Sequence, residues 1–439
     1  MKRNRIVATS VAAAVVLGFG LTACSSDDGS SGGKSPSATK AAEKTGQTIR
    51  VWFIQPDKNS QGPANDYLKK TFEAEHPGNK LVVEEQQWGT YVDKYQAALS
   101  GNDAPDVVEM GNTDTPRFTA EGALLDLTDK KADLGGDDLL PGFVNIGSYD
   151  GKFFAPPYYS GARVVFYSAN TVKQAVPKTL DEYVSTGVAN KTDKFSGIYQ
   201  PGKDWYNVLP YVWANGGFIA KQGDDSKWTA GFSSDGGVKG LEMAQKVMTQ
   251  ANSKTVAPPD GDESKGTQVF CQGKIGYLAG PTWLGGSIMA PKDADAPGCP
   301  DTYGKDLKSF ALPGLTEGSV APTFAGGSNI GIPSKSKNPE LAYDALKIVL
   351  SDGYQDLIAS KGLIPAKVSQ ASSLPTDDAT QQGAKAAAAA ILTPASPKWS
   401  EVEAKGYLKD AFTKLAQGGD VKSIATALDK QITDTLNAS

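Results

Sequence analysis

The chain of 439 residues carries 44 lysines and arginines against 49 aspartates and glutamates, a formal charge of −5, with one histidine and three cysteines. That length exceeds one ordinary core and suits two packed units of typical domain size. The mild acidity, without a long basic run beyond the first residues, argues against nucleic acid as a partner, and a single histidine argues against a zinc cluster.

Met1 to Ala23 has the form of a secretory leader: a basic start, then an apolar stretch from Ile6 to Leu21 that is short for a membrane span and ends against small residues. Leu21-Thr22-Ala23-Cys24 resembles the lipobox of bacterial lipoproteins, which implies a lipidated Cys24 after cleavage at residue 23. Residues 24–46 are rich in Ser, Gly, Lys, Thr and Ala with no large apolar side chain, so they are expected to form a flexible tether. Gly33-Lys34-Ser35 imitates a phosphate loop, but the required first glycine falls on Asp28. With Cys24 used by the anchor, Cys271 and Cys299 form an even remainder in an exported chain. A disulfide is expected, two buried thiols being the alternative.

The folded part begins with a predicted strand, Thr48 to Ile54, and a polar loop from Gln55 to Gly62. Pro63 suits the first turn of a helix with Leu68 and Phe72 on one face, stopped at His76-Pro77-Gly78. Lys80 to Gln87 predicts a second strand. Tyr91, Tyr95, Ala98 and Leu99 predict an amphipathic helix ended by Gly101, and Val107 to Met110 a third strand. This alternation indicates a parallel sheet with right-handed crossovers, whose ligands bind beyond the carboxyl ends of the strands. Those ends hold Gln55, Trp88, Asn112 and Asp114. Further on, Pro156-Pro157 leads through Tyr158, Tyr159 and Gly161 into Arg163 and the apolar run Val164 to Tyr167, which reads as a crossing between two packed units. The middle of the chain gathers aromatics in Asp204-Trp205-Tyr206 and in Tyr211 to Gly217, and the chain beyond 370 is helical and alanine-rich.

Several pieces recur together: Phe72 to Gly78, Val82-Val83, Trp88, Tyr91, Leu99-Ser100-Gly101, Ala104 to Val107, Gly122 to Thr128, Gly151 to Tyr167, Gly280-Pro281-Thr282-Trp283, Gly326 to Pro333 and Gly362 to Ala366. In this order and spacing they resemble the family 1 extracellular solute-binding proteins, the sugar-binding lipoproteins of bacterial ATP-binding-cassette importers, in their actinobacterial form. The resemblance implies an α/β, two-lobed periplasmic-binding-protein-like fold of type II, each lobe a mainly parallel sheet flanked by helices and joined by hinge crossovers. It places 47–155 with about 270–325 in an N-terminal lobe, and 156–269 with about 326–439 in a C-terminal lobe. It also implies a carbohydrate ligand, the permease subunits of an importer as partners, a lipid-anchored monomer on the extracytoplasmic face of the membrane, and no cofactor, metal or enzymatic role.

Catalytic constellations find little support. His76 sits at a helix end, no Gly-x-Ser-x-Gly elbow occurs, and Asp57 to Gly62 opens like a calcium loop but meets Leu68 where a glutamate is required. A glycoside hydrolase needs only two carboxylates, for which Glu109 and Asp114 are available, yet the same groups suit hydrogen bonds from sugar hydroxyls. A pyranose presents apolar faces and a girdle of hydroxyls, so its site requires flat aromatics beside charged or amide groups. The expected ligand-binding set is Gln55, Trp88, Asn112, Asp114, one of Tyr158 and Tyr159, Arg163, Trp205, Trp283, Gly327 and Ser328, with Trp52, Trp228 and Trp399 in the core. Arg163 must pair with a carboxylate or reach a cleft, since a lone buried guanidinium is costly. A peptide, a polyamine or a sugar phosphate is the alternative ligand, the phosphate disfavoured by the few basic residues at the strand ends.

Overall fold

The computed structural model describes residues 45–56, 61–294, 297–374 and 378–438. The expected leader, Cys24, the tether up to residue 44 and loop residues 57–60 lie outside them. Within 45–439 the strands of two main sheets are, in chain order, β1 (Thr48–Ile54), β2 (Lys80–Gln86), β3 (Val107–Gly111), β4 (Pro157–Gly161), β5 (Arg163–Ser168), β6 (Ser196–Ile198), β7 (Ile275–Pro281), β8 (Leu307–Phe310), β9 (Gly326–Gly331) and β10 (Ile364–Pro365).

The first sheet has the order β10-β4-β9-β3-β1-β2. Its β2-β1-β3 part is parallel, while β9 and β10 join through antiparallel pairings. Alternation along β1 sends Ile49, Val51 and Phe53 into one apolar cluster and Trp52 and Ile54 into another, so both faces are covered. The helix Gly62–Glu75 fills the first face with Ala64, Leu68 and Phe72, and the helix Tyr91–Ser100 the second with Tyr91, Tyr95 and Leu99. Leu68 and Phe72 have no exposed surface, and each burial contributes ~2 kcal/mol.

The second sheet has the order β8-β5-β7-β6, with β6 parallel and β5 antiparallel to β7. Its core is rich in aromatics, including Tyr183, Trp205, Tyr211, Phe232, Tyr277, Trp399 and Phe412. The helices Asp235–Lys246, Tyr407–Ala416 and Val421–Leu436 pack into it with amphipathic faces such as Leu408, Phe412 and Leu415.

β4 ends at Gly161 in the first sheet and β5 begins at Arg163 in the second, so the chain changes sheets at Ala162. It returns between Phe310 and Gly326, and crosses again after Pro365 to the helix Asp378–Ala387, which packs on β5 and β8. Strand pairing therefore corrects the expected lobe boundaries. β7 and β8, within 270–325, belong with β5 and β6, whereas β9 and β10, beyond 326, complete the sheet of β1 to β3. No crossing falls at the expected boundary near 270, because β7 runs back along β5 and stays in its sheet.

Cys271 and Cys299 are bonded across a separation of 28 residues, tying the end of the helix Gly266–Cys271 to the helix Pro300–Tyr303. The closed loop contains β7 and the turn at Trp283, and the Phe270 and Tyr303 rings stack beside the bond at 4.6 Å.

Two outcomes follow from this packing. Reduction, or paired replacement of Cys271 and Cys299 by serine, should lower the unfolding free energy in urea by ~3 kcal/mol, an unchanged urea midpoint showing that the loop needs no staple. Gly327 has φ +130°, and a Cβ there would lie 2.3 Å from the Tyr159 carbonyl oxygen. Gly327→Ala should therefore destabilise by about 2 kcal/mol or more, read as a lower thermal midpoint.

Candidate functional site

The carboxyl end of β3 meets the second lobe. Asp114 immediately precedes the short helix Thr115–Ala120, which touches the helix Trp399–Ala404 of the other lobe. The Tyr91 hydroxyl donates to Asp114 Oδ2, and burial raises the Asp114 carboxyl above its usual range, while Tyr91 and Arg117 oppose that rise. Across the boundary, burial and then the charge of Asp114 push Glu403 up to about 7. Two desolvated carboxylates from separate lobes thus share one seam, the arrangement that receives hydroxyl donors.

The Tyr206 hydroxyl reaches Glu403 Oε1 at 3.5 Å, a long bond. Its ring lies 4.8 Å from Phe324 on the second crossover and 4.0 Å from Trp205 beneath it. The Arg163 guanidinium sits 4.9 Å over the same ring. Arg163 is buried and satisfied within its own lobe: Nη2 donates to Glu263 Oε2 at 2.7 Å and Nη1 to Asn207 Oδ1 at 3.1 Å. Asn207 in turn donates to Asp204 at 2.7 Å. Asp204 is raised by burial and by the charge of Glu263, with Arg163 pulling it back.

Each lobe also carries an exposed tryptophan. Trp88, just past β2, is 43% exposed; its ring packs over Gly111 and edge-on to Tyr91 at 5.5 Å. Trp283, just past β7, is 42% exposed and its ring rests on Gly161 and Gly326, one residue from each of the first two crossovers. A Cβ at Gly161 would come within 2.1 Å of that ring, so glycine is required for the indole to lie on the hinge.

Of the expected residues, Asp114 lies where the two lobes touch, Trp283 rests on the glycines at two crossovers, and Trp88 is exposed beside Gly111 and Tyr91 at the carboxyl end of the first sheet. Gln55 is exposed at the end of β1; it has φ +40°, and its Oε1 accepts the Trp88 backbone N–H at 3.1 Å. Tyr159 is half-buried beside Glu109 and Ser328. The others are corrected by packing. Tyr158 is fully buried, stacked on Phe53 at 5.2 Å and hydrogen-bonded to Tyr354 at 2.7 Å, because the β-strand alternation turns it into the core. Trp205 lies in an irregular segment and is buried by tertiary packing, its ring 6.3 Å from Trp399 and covered by that of the half-buried Tyr206. Asn112 donates to the Ala325 carbonyl at 2.8 Å and ties β3 to the second crossover, Ser328 is wholly buried, and Gly327 serves close strand approach. Arg163 is a structural ion pair that props Tyr206. Sequence reasoning missed Tyr206, which lay in a noted aromatic cluster, and Glu403, four residues after Trp399 in a helix without a local signal.

Among the described residues no group of three His, Cys, Asp or Glu is placed to hold a metal ion, and no helix is long and apolar enough to cross a membrane.

Residues 68–389 match the family model described as bacterial extracellular solute-binding protein. The diacetylchitobiose binding protein DasA of Streptomyces coelicolor is 34% identical over 92% of this chain and 91% of its own. The maltodextrin-binding protein MdxE of Bacillus subtilis is 24% identical over 78% and 76%. Among solved structures, the sugar-binding protein MalE of Xanthomonas citri superposes with a TM-score of 0.75 at 19% identity, covering 89% of this chain and 97% of that one. The GacH receptor of Streptomyces glaucescens superposes with a TM-score of 0.73 at 21% identity, covering 90% and 100%. Two sheets with separate cores, crossovers between them and these likenesses agree: the chain belongs to the bacterial extracellular solute-binding protein family of ATP-binding-cassette importers.

Proposed function

We propose that the protein captures a carbohydrate, most simply an oligosaccharide, in the cleft between its lobes and presents it to the permease subunits of an importer. The observation that carries this reading is the pair of exposed tryptophans, Trp88 and Trp283, borne by different lobes, together with the polar seam of Asp114, Tyr206 and Glu403. Indoles offer flat apolar faces to pyranose C–H groups, and the carboxylates and phenol accept from or donate to the hydroxyls. A ligand touching both lobes would favour the closed arrangement through a hinge at Ala162 and the other crossings. The relatives that bind diacetylchitobiose and maltodextrin support a sugar of more than one unit. The family is extracytoplasmic, and the lipobox-like Leu21-Thr22-Ala23-Cys24 supports a monomer held at the outer face of the membrane by a lipid on Cys24.

A thermal-shift screen of mono- and oligosaccharides, including N,N′-diacetylchitobiose and maltotetraose, tests the ligand class. A sugar at a hundredfold excess over its Kd should stabilise by ~2.7 kcal/mol. A shift with an oligopeptide or polyamine and none with any sugar would reject the reading. Trp283→Ala should weaken binding of the active sugar by about tenfold or more with the thermal midpoint little changed. Loss of the folding transition in that variant would make Trp283 a core residue instead.

A further inference from the structure

Glu109 lies in the middle of β3 with no exposed surface, and the described groups assign it no ion pair. Its Oε2 accepts the Ile54 backbone N–H at 2.8 Å, at the last residue of β1, while Oε1 makes no well-formed hydrogen bond. The titratable groups that face it are all tyrosines: Tyr95 from the helix Tyr91–Ser100, Tyr158 and Tyr159 from β4, and Tyr354 from the helix Asp352–Ala359. From β9 it meets the Ser328 side chain. A bare acceptor for Ile54 could be supplied by glutamine without the cost of desolvating a carboxylate, so retention of an acid here requires another reason.

The residue after Ile54 supplies one. Gln55 holds φ +40°, a left-handed conformation disfavoured for a side-chain-bearing residue, and is fixed by Ile54 on one side and by its own N–H to the Gln86 carbonyl at 2.8 Å. In that conformation its Oε1 receives the Trp88 N–H. Glu109, Ile54, Gln55 and Trp88 thus form a continuous line from the centre of the sheet to the exposed indole. The same β3 strand carries Gly111, on which the Trp88 ring rests.

We propose that Glu109 is a positioning residue for the cleft: its ionised carboxylate anchors the Ile54 N–H, holds Gln55 in its strained conformation, and so sets Trp88 for ligand stacking. The inference rests on the carbohydrate-binding reading. A charged acceptor binds a backbone N–H more strongly than a neutral one, so the anchor tightens as the proton leaves. Burial raises the Glu109 carboxyl to about 7, which puts that transition in the physiological range. The sign for stability is opposite. A carboxyl raised in the fold from about 4.3 in the unfolded chain favours folding only while protonated, and its contribution is lost as pH climbs through that interval to about 7. Fold stability and ligand affinity are therefore expected to move in opposite directions.

The test is Glu109→Gln in the full chain, with wild type alongside, titrated with N,N′-diacetylchitobiose, maltotetraose and any other sugar active in the screen. At pH 8 the variant should melt at a higher temperature than wild type yet bind about tenfold more weakly, and both differences should shrink towards pH 5.5. Equal affinities at pH 8, or an affinity ratio that does not change with pH, would overturn the proposal while leaving the carbohydrate reading intact. If wild type binds no sugar, the carbohydrate reading fails, and the positioning role is then decided without ligand by hydrogen exchange. The Trp88 amide should exchange faster in Glu109→Gln, and faster again in Gln55→Ala, which removes its acceptor directly. Unchanged Trp88 exchange in the folded variants would overturn the role.

Discussion

The passage of the chain from one sheet to the other across a single residue, Ala162, constrains the rest of the molecule. β4 and β5 are consecutive in sequence yet belong to different sheets with different main cores, so the two lobes are joined by extended backbone, beside a smaller apolar cluster that holds Ile364 of β10 together with Ala162, Val164 and Phe166. A link of that kind can bend, which is what a binding protein that closes over its ligand requires. The same passage explains why glycine occurs at 161. The Trp283 indole lies on that position, and a side chain at Gly161 would displace it.

Arg163 shows how the crossing is stiffened on one side. As the first residue of β5 it would be a buried cation without a partner, but Glu263 and Asn207 satisfy it inside the second lobe, and its planar face supports Tyr206. The guanidinium thus acts on the cleft indirectly, through the ring it carries. On the other lobe the support of Trp88 runs through backbone instead, Glu109 accepting the Ile54 N–H and Gln55 the Trp88 N–H. The carboxyl groups of Asp114 and Glu403 approach each other between the lobes.

Much of the first lobe could be read from local pattern. The alternation of Ile49, Val51 and Phe53, the spacing of Leu68 and Phe72, and the helix of Tyr91, Tyr95 and Leu99 are short-range signals, and each element forms where its pattern places it. Pairing across long separations was less legible. Nothing in β9 announces that it runs antiparallel between β3 and β4, more than 160 residues upstream, since Gly326 to Gly331 has the composition of any glycine-rich strand.

The sequence by itself determined the alternating strands and helices, the crossing near Pro156 to Arg163 and the family, because these depend on neighbouring residues and on motif order. Only the tertiary structure decided which sheet each strand after 270 joins and which member of each aromatic pair faces outward. Tyr158 is buried and Tyr159 only half so; Trp205 is buried and Tyr206 faces the seam. The strand or turn direction that separates such neighbours is set by distant partners such as Tyr354 and Trp399, and no local pattern contains them. Glu403 became a cleft residue for the same reason: a helix from the end of the chain lies against the turn at Asp114, and proximity in space, rather than spacing in sequence, gives it that position.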